Sequence, residues 1–569
     1  MYRTHTCGEL RLSNEGEEVT LAGWVHSIRT HGPLTFIDLK DRYGITQITA
    51  QKEVIKQIHK DDVINVKGVV TKKPEPNKAL STGEIEIQAS LMEVLNSSKP
   101  VPIDSNATDD MRIKYRYIDI RNNGIIDNLA FRSKVALATR SFFEKNDFLE
   151  IETPLLMKST PEGARDYIVP SRVHNGKFYA LPQSPQLYKQ ILMVSGVDKY
   201  FQLAKCLRDE DLRSDRQPEH TQIDFEMSFV HSKDIRSFTE SLMKDLFKKS
   251  LDVKLDDFPV FSYEEAMSRF GSDKPDIRFG LELNNITELA KKTEFSVFKE
   301  AEMINVIFVE EEFTRKKIEE YTKLVKIYNA KGLAFVKLSE KGVFEGGISK
   351  FISQELQNQF IKFVGAESKK GTLFFVADSK KVSQTSLGFL RKKLGEDLSL
   401  ANPDEFKFCW VNDFPLFSFN EEENKWEPEH HMFSMPKEEF IDDFENRPGE
   451  VLGDLWDLVL NGWEMGSGSI RISNPKIQER IMNFVGFDKK EAQEKFGFLL
   501  EAYEYGGPIH GGMGLGLDRL CTLMLKKIDI REVIAFPKNK SAECPMDGSP
   551  GTVTQEQLDE LGIKLNTKN

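Results

Sequence analysis

Three arginines interleaved with six acids fill the run Arg208-Asp209-Glu210-Asp211-Leu212-Arg213-Ser214-Asp215-Arg216-Gln217-Pro218-Glu219-His220-Thr221-Gln222-Ile223-Asp224. Most charge runs are solvated hairpins. Here a strand signal, Phe225-Glu226-Met227-Ser228-Phe229, follows at once, and the residue types suit a polyphosphate-and-metal site. Arginine presents a planar fork that matches phosphate oxygens, and carboxylates hold Mg²⁺ beside them. A second segment is Gly511-Gly512-Met513-Gly514-Leu515-Gly516-Leu517-Asp518-Arg519-Leu520. It lacks the Gly-Lys-Ser/Thr of a phosphate loop and the following strand and acid of a dinucleotide fingerprint. It does set Arg519 at the start of an apolar helix, Leu520 to Leu525, where a guanidinium and a helix N-terminus both suit an anion. Asp457 and Glu464, read alone, are an ordinary surface pair seven residues apart.

These residues need a scaffold, and the surrounding patterns describe one. The first hundred residues read as short strands: Val19–Val25, Leu34–Leu39, Ile45–Ala50, Val63–Val70 and Glu84–Leu91, with Gly, Asp and Asn between them. Alternation at such intervals predicts a small antiparallel barrel. Ser97 to Pro102 breaks the pattern as a linker. From Asp127 to Lys145, Leu129, Val135, Leu137, Phe142 and Phe143 recur at helical spacing, opening a second domain. The stretches 150–285 and 405–535 carry the aromatic, Gly and Pro residues and most unusual local sequences. Between them, Leu283 to Ser399 alternates Lys/Glu-rich helical patterns with apolar strands such as Ile304–Val309, the texture of an inserted α+β domain. The residues after Phe536-Pro537 read as a surface extension.

A chain of 569 residues is three or four domains' worth, at about 100–150 residues each. With 39% hydrophobic and 30% charged residues it can bury several cores. Its net charge of −12 excludes a polybasic nucleic-acid tail but not a local basic face. No stretch approaches the roughly 20 apolar residues of a membrane span, and Met1 to His5 leads into Glu-rich sequence without a signal-type apolar region. Cys7, Cys206, Cys409, Cys521 and Cys544 are scattered and never in Cys-x-x-Cys spacing, against a disulfide framework or zinc knuckle. A soluble cytoplasmic protein without a membrane partner is expected.

Together the two charged and glycine-rich segments resemble motifs 2 and 3 of the class II aminoacyl-tRNA synthetases. Phe148-Leu149-Glu150-Ile151-Glu152-Thr153-Pro154 resembles motif 1, a helix–strand unit that builds a dimer interface. Three ordered motifs are far more specific than one. Thr160 to Tyr167, Leu181-Pro182-Gln183-Ser184-Pro185-Gln186-Leu187-Tyr188-Lys189-Gln190 and Arg213 to Glu219 narrow the resemblance to the bacterial-type aspartyl-tRNA synthetases. It covers essentially the whole chain. It implies a multidomain α+β protein with an OB-fold anticodon-binding barrel at 1–103 and a class II antiparallel-sheet catalytic domain in two segments, 104–282 and 401–535. The inserted α+β domain would occupy 283–400 and a C-terminal extension 536–569.

The family joins aspartate to AMP and then to tRNA, and its roles carry over by position. Arg208 would bridge the α-phosphate and the amino-acid carboxylate, and Arg519 would hold the γ-phosphate. Asp209, Glu210, Gln217, His220, Glu464, Gly516, Leu517 and Asp518 match the remaining ATP contacts, and Asp457 with Glu464 the Mg²⁺ carboxylates. Lys189 and Arg471 match the readers of the aspartate side chain, with Glu162, Ser184, Gln186, Asp224 and His430 around it. Two cations suit a carboxylate, whereas an amide would leave positive charge uncompensated. Arg29, His31, Phe36 and Gln47 match anticodon readers, although Phe36 alone would read as a core residue. The implied partners are ATP with Mg²⁺, L-aspartate, tRNA(Asp), a second copy of the chain, and tRNA(Asn) if discrimination is relaxed, since His31-Gly32 lies in the loop that influences it.

The chain departs from the family at His220, where an aromatic ring is usual, at Leu207, and at Met432 after the His430-His431 pair. The rival readings are asparaginyl or lysyl relatives, a catalytically dead RNA-binding paralogue, and an ammonia-dependent asparagine synthetase. Lys189 with Arg471, Arg208 with Arg519, and the N-terminal barrel stand against them in turn.

Overall fold

The structure, a computed structural model, describes residues 1–51, 58–160, 164–212 and 215–566. They form two compact units, Met1–Ala130 with Arg531–Thr552, and Phe131–Ile530 with Val553–Asn569.

In the first unit, strands β1 (Glu18–His31), β2 (Leu34–Lys40), β3 (Ile45–Gln51), β4 (Val63–Lys72) and β5 (Ile85–Asn96) close into a barrel in the order β1-β2-β3-β5-β4. All five expected strands are present. The barrel is not wholly antiparallel, because β3 and β5 pair in parallel at Ile48↔Ile87. Alternation sends Val19, Leu21, Val25, Ile37, Leu39, Ile48, Ile64, Val66 and Ile87 inward as one core. Residues 531–552 also belong to this unit. Buried Arg116 donates to the carbonyls of Ile534 (2.9 Å) and Ala535 (3.0 Å).

The second unit is built on β6 (Leu149–Glu150), β9 (Lys199–Leu207), β10 (Glu219–Ser228), β11 (Val260–Ser262), β17 (Phe408–Asn412), β20 (Leu455–Leu460), β21 (Trp463–Ile470) and β22 (His510–Gly516). They form an eight-stranded sheet in the order β11-β17-β20-β21-β22-β10-β9-β6. Every pair from β17 to β9 is antiparallel, and only the two edge strands run parallel to their neighbours. Ribbons β7–β8 (Ile168–Pro170, Phe178–Ala180) and β18–β19 (Phe417–Asn420, Lys425–Pro428) stand apart from this sheet.

One face of the sheet packs on the helix Ile125–Lys145, close to the expected span. Phe143 stacks on Phe201 at 4.4 Å between centroids and contacts Phe225 at 5.6 Å. Leu137, counted in the apolar pattern, is exposed. Between β11 and β17 the chain builds an α+β substructure with a sheet of its own. Its five-stranded sheet contains β12 (Asn284–Asn285), β13 (Met303–Val309), β14 (Ala334–Leu338), β15 (Phe344–Glu345) and β16 (Gly371–Asp378), in the order β12-β13-β16-β14-β15. The helices Arg315–Ile327 and Lys380–Asp397 pack against one another beside it.

Candidate active site

The floor of the site follows from strand register. In β10, Ile223, Phe225 and Met227 alternate with Gln222, Asp224 and Glu226, so the polar three share the face opposite the helix. Their cross-strand partners on β22 are Gly516, Gly514 and Gly512. On the other side of β22, Ser467 and Ser469 of β21 face Gly514 and Gly512. Directly opposed residues point to the same side of a sheet, so this face carries charges and hydroxyls over a row without side chains. The glycines of the second segment are therefore strand residues that leave room. At Gly512 the need is strict: a Cβ would stand 2.1 Å from Glu226 Oε2 and from the Phe225 carbonyl.

Above this floor is a cavity of about 740 Å³ lined by Ser184, Gln186, Lys189, Arg208, Glu210, Gln217, His220, Asp224, His430, Glu464, Arg471, Gly516, Asp518 and Arg519. Most residues nominated from the sequence thus share one cavity. Asp209 does not line it; its backbone N–H donates to the Arg165 carbonyl at 3.1 Å. Leu517 is buried in the helix Leu517–Met524, and Asp457 is buried in β20. That helix begins three residues earlier than expected, which makes Arg519 its third residue. Glu162 lies outside the described residues, as do Arg213 and Ser214.

At one end of the cavity lies a buried ion network. Lys189 Nζ, from the helix Gln186–Val194, is 2.8 Å from Asp224 Oδ1 and 3.2 Å from Glu226 Oε2. Arg471, directly after β21, places Nε 2.8 Å from Glu226 Oε1 and Nη1 3.1 Å from His431 Nε2. The Lys189 and Arg471 side chains are 3% and 2% exposed. Burial alone would push the Glu226 carboxyl up; Arg471 and Lys189 outweigh it and hold it at about 2. Burial raises Asp224 despite Lys189. Burial, reinforced by Arg471, keeps His431 far below its ordinary value, hence neutral. Tyr503 OH donates to Gln190 Oε1 at 2.7 Å, bracing the helix that carries Gln186 and Lys189. Two groups remain open: Asp224 Oδ2 and Gln186 Nε2 are buried and have no hydrogen-bond partner. One is an acceptor and the other a donor, as a zwitterionic amino acid requires.

At the other end, Arg519 Nη2 lies 3.3 Å from Asp215 Oδ2, and Arg216 Nη1 2.9 Å from Glu210 Oε2. Arg208 Nε donates to the Gln183 carbonyl at 3.4 Å. Both Asp518 oxygens are engaged, Oδ1 by Arg132 at 2.7 Å and Oδ2 by the Thr221 N–H at 2.7 Å, so this side chain ties the helix to β10. Burial and the positive charges of Arg208, Arg519 and Lys205 push His220 down to about 3.

Asp457 and Glu464 are not a surface pair. Asn461-Gly462, with φ of +51° and +81°, forms the two-residue turn joining β20 to β21, the hairpin geometry that Asn-Gly favours. A bulge between Leu458 and Val459 shifts the register beside Glu464; a bulge re-aims side chains, and Glu464 lines the same cavity as Ser467. Burial and then the Glu464 charge raise Asp457, whereas Lys274, 2.8 Å from Glu464 Oε2, lowers Glu464 against the effect of burial. His430 Nε2 is 3.6 Å from Asp457 Oδ1, and the two carboxylates raise the imidazole although burial opposes them. Asp457 Oδ1 is buried without a hydrogen-bond partner. Among the described residues no three or more His, Cys, Asp or Glu are grouped to hold a metal. Two adjacent carboxylates with an unsatisfied oxygen fit Mg²⁺, which takes one or two protein carboxylates and completes its shell with waters and substrate phosphates.

On the barrel, Arg29 pairs with Phe36 across β1–β2, Phe36 with Thr49 across β2–β3, and Asp38 with Gln47. These share the outer face, because Ile37, Leu39 and Ile48 point inward. The core reading of Phe36 is therefore set aside. Arg29 Nη2 is 2.8 Å from Asp38 Oδ1, Gln47 Nε2 donates to Glu86 Oε2 at 2.7 Å, and His31 is exposed at the end of β1.

Glu226, His431 and Lys274 were not nominated from the sequence. Glu226 had a signal, the period-two polar row Gln222/Asp224/Glu226 in an otherwise apolar strand. Lys274 had none.

Residues 108–540 match the family model described as tRNA synthetases class II (D, K and N), and residues 19–95 that of the OB-fold nucleic acid binding domain. The chain is 51% identical over 587 residues to the aspartate–tRNA(Asp/Asn) ligase of Treponema denticola, covering 99% of each. It is 47% identical to the aspartate–tRNA ligase of Ruminiclostridium cellulolyticum, covering 99% of this chain and 98% of that protein. Among solved structures, the asparaginyl-tRNA synthetase of Pyrococcus horikoshii superposes with a TM-score of 0.59 at 19% identity, over 94% of this chain and 98% of the other, a likeness of fold.

Proposed function

The chain belongs to the class II aminoacyl-tRNA synthetases of the aspartate, lysine and asparagine group, and from that premise we propose that it is an aspartate–tRNA ligase. It activates L-aspartate with ATP to aspartyl-adenylate, releasing pyrophosphate, and passes the aspartate to the 3′ end of tRNA(Asp). The observation that carries the choice of amino acid is the buried Lys189–Asp224–Glu226–Arg471 network.

In this reading Lys189 and Arg471 receive the side-chain carboxylate. Asp224 Oδ2 accepts from the α-ammonium, and Gln186 Nε2 donates to a substrate oxygen. An asparagine amide carries no charge and would return less to the Lys189 ammonium and the Arg471 charge than a carboxylate does. The attacking carboxylate is already ionised at neutral pH, so the first step needs no general base and rests on alignment and charge neutralisation. Arg208 sits between the carboxylate and the α-phosphate, Arg519 takes the γ-phosphate, and His220 lies against the adenine as a neutral ring. Asp457 and Glu464 would hold Mg²⁺, which when bound supplies positive charge to the phosphate oxygens.

The outer face bearing Arg29, His31, Phe36 and Gln47 reads the anticodon by stacking and edge hydrogen bonds, as OB-folds do. The reading includes relaxed charging of tRNA(Asn), in keeping with His31 and with relatives whose names carry both tRNAs. It also includes a cytoplasmic homodimer, for which exposed Leu149 of the motif 1 segment and Leu155 and Leu156 just after it supply apolar surface. The functional domains in this reading are the anticodon barrel 1–103, the catalytic segments 104–282 and 401–535, the insert 283–400 and the extension 536–569.

Amino-acid-dependent ATP–pyrophosphate exchange without tRNA tests the assignment. Exchange with aspartate, and not with asparagine or lysine, is expected; exchange with asparagine would overturn it. Charging tRNA(Asp) and tRNA(Asn) transcripts side by side tests the relaxed reading, which a very large preference for tRNA(Asp) would refute.

A further inference from the structure

Among the contacts of the inserted domain with the rest of the catalytic unit is the loop Gly271-Ser272-Asp273-Lys274-Pro275-Asp276-Ile277-Arg278-Phe279-Gly280. This loop leaves the helix Tyr263–Phe270 with Gly271 at φ +65° and lies against the insert's helix Lys380–Asp397 backbone to backbone. A Cβ on Gly271 would stand 2.3 Å from the Gln384 carbonyl and 2.7 Å from Gly388 Cα, and one on Gly388 2.1 Å from the Gly271 carbonyl. From the same helix, buried Arg391 donates through Nη2 to the carbonyls of Asp276 (2.9 Å), Phe279 (2.7 Å) and Gly280 (2.8 Å). Its guanidinium also lies over the rings of Phe270 and Phe279, 5.0 and 4.3 Å from their centroids. On its far side the loop meets the β20–β21 turn, where a Cβ on Gly462 would come within 3.2 Å of Asp276 Cβ.

The one side chain this loop sends to the cavity carboxylates is Lys274. Its Nζ is 2.8 Å from Glu464 Oε2 and 3.8 Å from Asp273 Oδ2. We propose that Lys274 is the resident counter-cation of the Asp457–Glu464 pair and that the inserted domain, through Arg391 and the Gly271–Gly388 contact, holds it there. The inference rests on the reading of Asp457 and Glu464 as the metal carboxylates. Two neighbouring carboxylates, Asp457 buried and Glu464 partly so, repel, and a fixed ammonium offsets that repulsion before metal and nucleotide arrive. It also competes for Glu464 Oε2, an oxygen a divalent cation would take. Lys274 is then a positioning residue that keeps the metal site weak until a nucleotide brings its own phosphate oxygens. The insert thereby acquires a role in metal–nucleotide binding without touching either ligand.

The test uses Mn²⁺ as the probe, titrated by paramagnetic resonance into the full-length protein without nucleotide. In the Lys274→Met background, Asp457→Asn combined with Glu464→Gln should abolish Mn²⁺ binding at this site; if Lys274→Met binds no Mn²⁺, or the added carboxylate changes leave its binding unchanged, the carboxylate reading falls and this inference with it. With that control met, Lys274→Met should tighten Mn²⁺ binding about tenfold, equivalent to about 1.4 kcal/mol, and Lys274→Arg should stay within about twofold of the wild type. Unchanged affinity in Lys274→Met overturns the counter-cation role while leaving the carboxylate reading intact. Arg391→Met, and separately the milder Gly388→Ala, should tighten binding in the same direction. Combining either with Lys274→Met should add little further, since both act through the same ammonium. If both insert variants fold, as judged by their melting curves, and bind Mn²⁺ like the wild type, the insert has no such role.

Discussion

In the proposed reading His220 lies against the adenine, and the consequence of an imidazole at that position can be worked out. The residue lines the cavity on β10 and is held down at about 3 by burial and by Arg208, Arg519 and Lys205. A group with that value is protonated in about one molecule in ten thousand at pH 7 and about one in a thousand at pH 6. Any stacking on adenine is therefore by a neutral imidazole throughout the working range. His220→Phe replaces it with a larger apolar face. An added contact of about 20–40 Å², at about 25 cal/mol per Å², is worth about 0.5–1 kcal/mol, or about a two- to fivefold lower KM for ATP. The assay is pyrophosphate exchange with ATP varied at saturating aspartate, at pH 6, 7 and 8. The variant's KM should fall by that factor, and the ratio of the two KM values should be the same at all three pH values. An unchanged or raised KM would refute the stacking role. A ratio that drifts between pH 6 and 8 would refute the neutral imidazole, because it would require a proton to come and go at His220 far above pH 3.

Three further outcomes follow from the same geometry. Lys189→Met, which breaks a buried pair of the kind worth about 3–5 kcal/mol, should lower kcat/KM for aspartate by about two to three orders of magnitude and leave the KM for ATP within about twofold. An unchanged kcat/KM for aspartate in pyrophosphate exchange would remove its role in binding the amino acid. Glu226→Gln should cost the catalytic unit about 3 kcal/mol at pH 7, since the carboxyl is lowered from 4.5 to about 2. Because the folded value is the lower one, this stability is present above about pH 4.5 and lost as pH falls toward 2. Thermal unfolding of both proteins should show a gap that narrows on acidification, and a gap under about 0.5 kcal/mol at pH 7 would sink the argument. Gly512→Ala, whose Cβ would sit 2.1 Å from Glu226 Oε2 and the Phe225 carbonyl, should cost about 1–3 kcal/mol and lower exchange activity; wild-type rates would show that the floor can yield.

The barrel is legible because its code is local. Period-two alternation and turn residues identify strands without knowledge of their partners, and all five strands are present. What alternation cannot supply is the parallel β3–β5 pair, which depends on how β4 crosses, or the side on which Phe36 stands, which depends on where the barrel closes. The same limit governs the catalytic site. Arg208, Lys189, Arg519 and Arg471 are reached through motif resemblance, and the structure brings them to one cavity. Glu226 lies 245 residues from Arg471 in the chain, and nothing local marks them as partners until β10, β22 and β21 are set in register. Asp457 and Glu464 look like a surface pair only while the Asn461-Gly462 turn between them is overlooked, since that turn changes a helical spacing into a hairpin. Lys274 depends on a loop held by a helix more than a hundred residues later in the chain, beyond any reading of local pattern.

The two ends of the cavity handle charge differently, and their burial explains why. At the end proposed for the phosphates, the acids paired with Arg519 and Arg216 are partly open, Asp215 at 33% and Glu210 at 27% exposure. Pairs of that kind contribute little stability and can be exchanged, so phosphate oxygens can displace the acids from the guanidinium groups at small cost. On the amino-acid side, Asp224 and Glu226 are 2% and 0% exposed, and their partners are as deeply buried. Breaking such a pair costs several kcal/mol, so in the proposed reading Lys189 and Arg471 keep their partners when substrate enters. Arg471 is bound on all sides by Glu226, Ser469, His431 and the Gly512 carbonyl and presents a fixed charge, while Lys189 presents its charge and its remaining donor. In this reading a chemically uniform polyphosphate is met by replaceable charge. A dicarboxylate that must be told from its amide is met by charge that cannot move, and that rigidity prevents the pocket from relaxing around the wrong side chain.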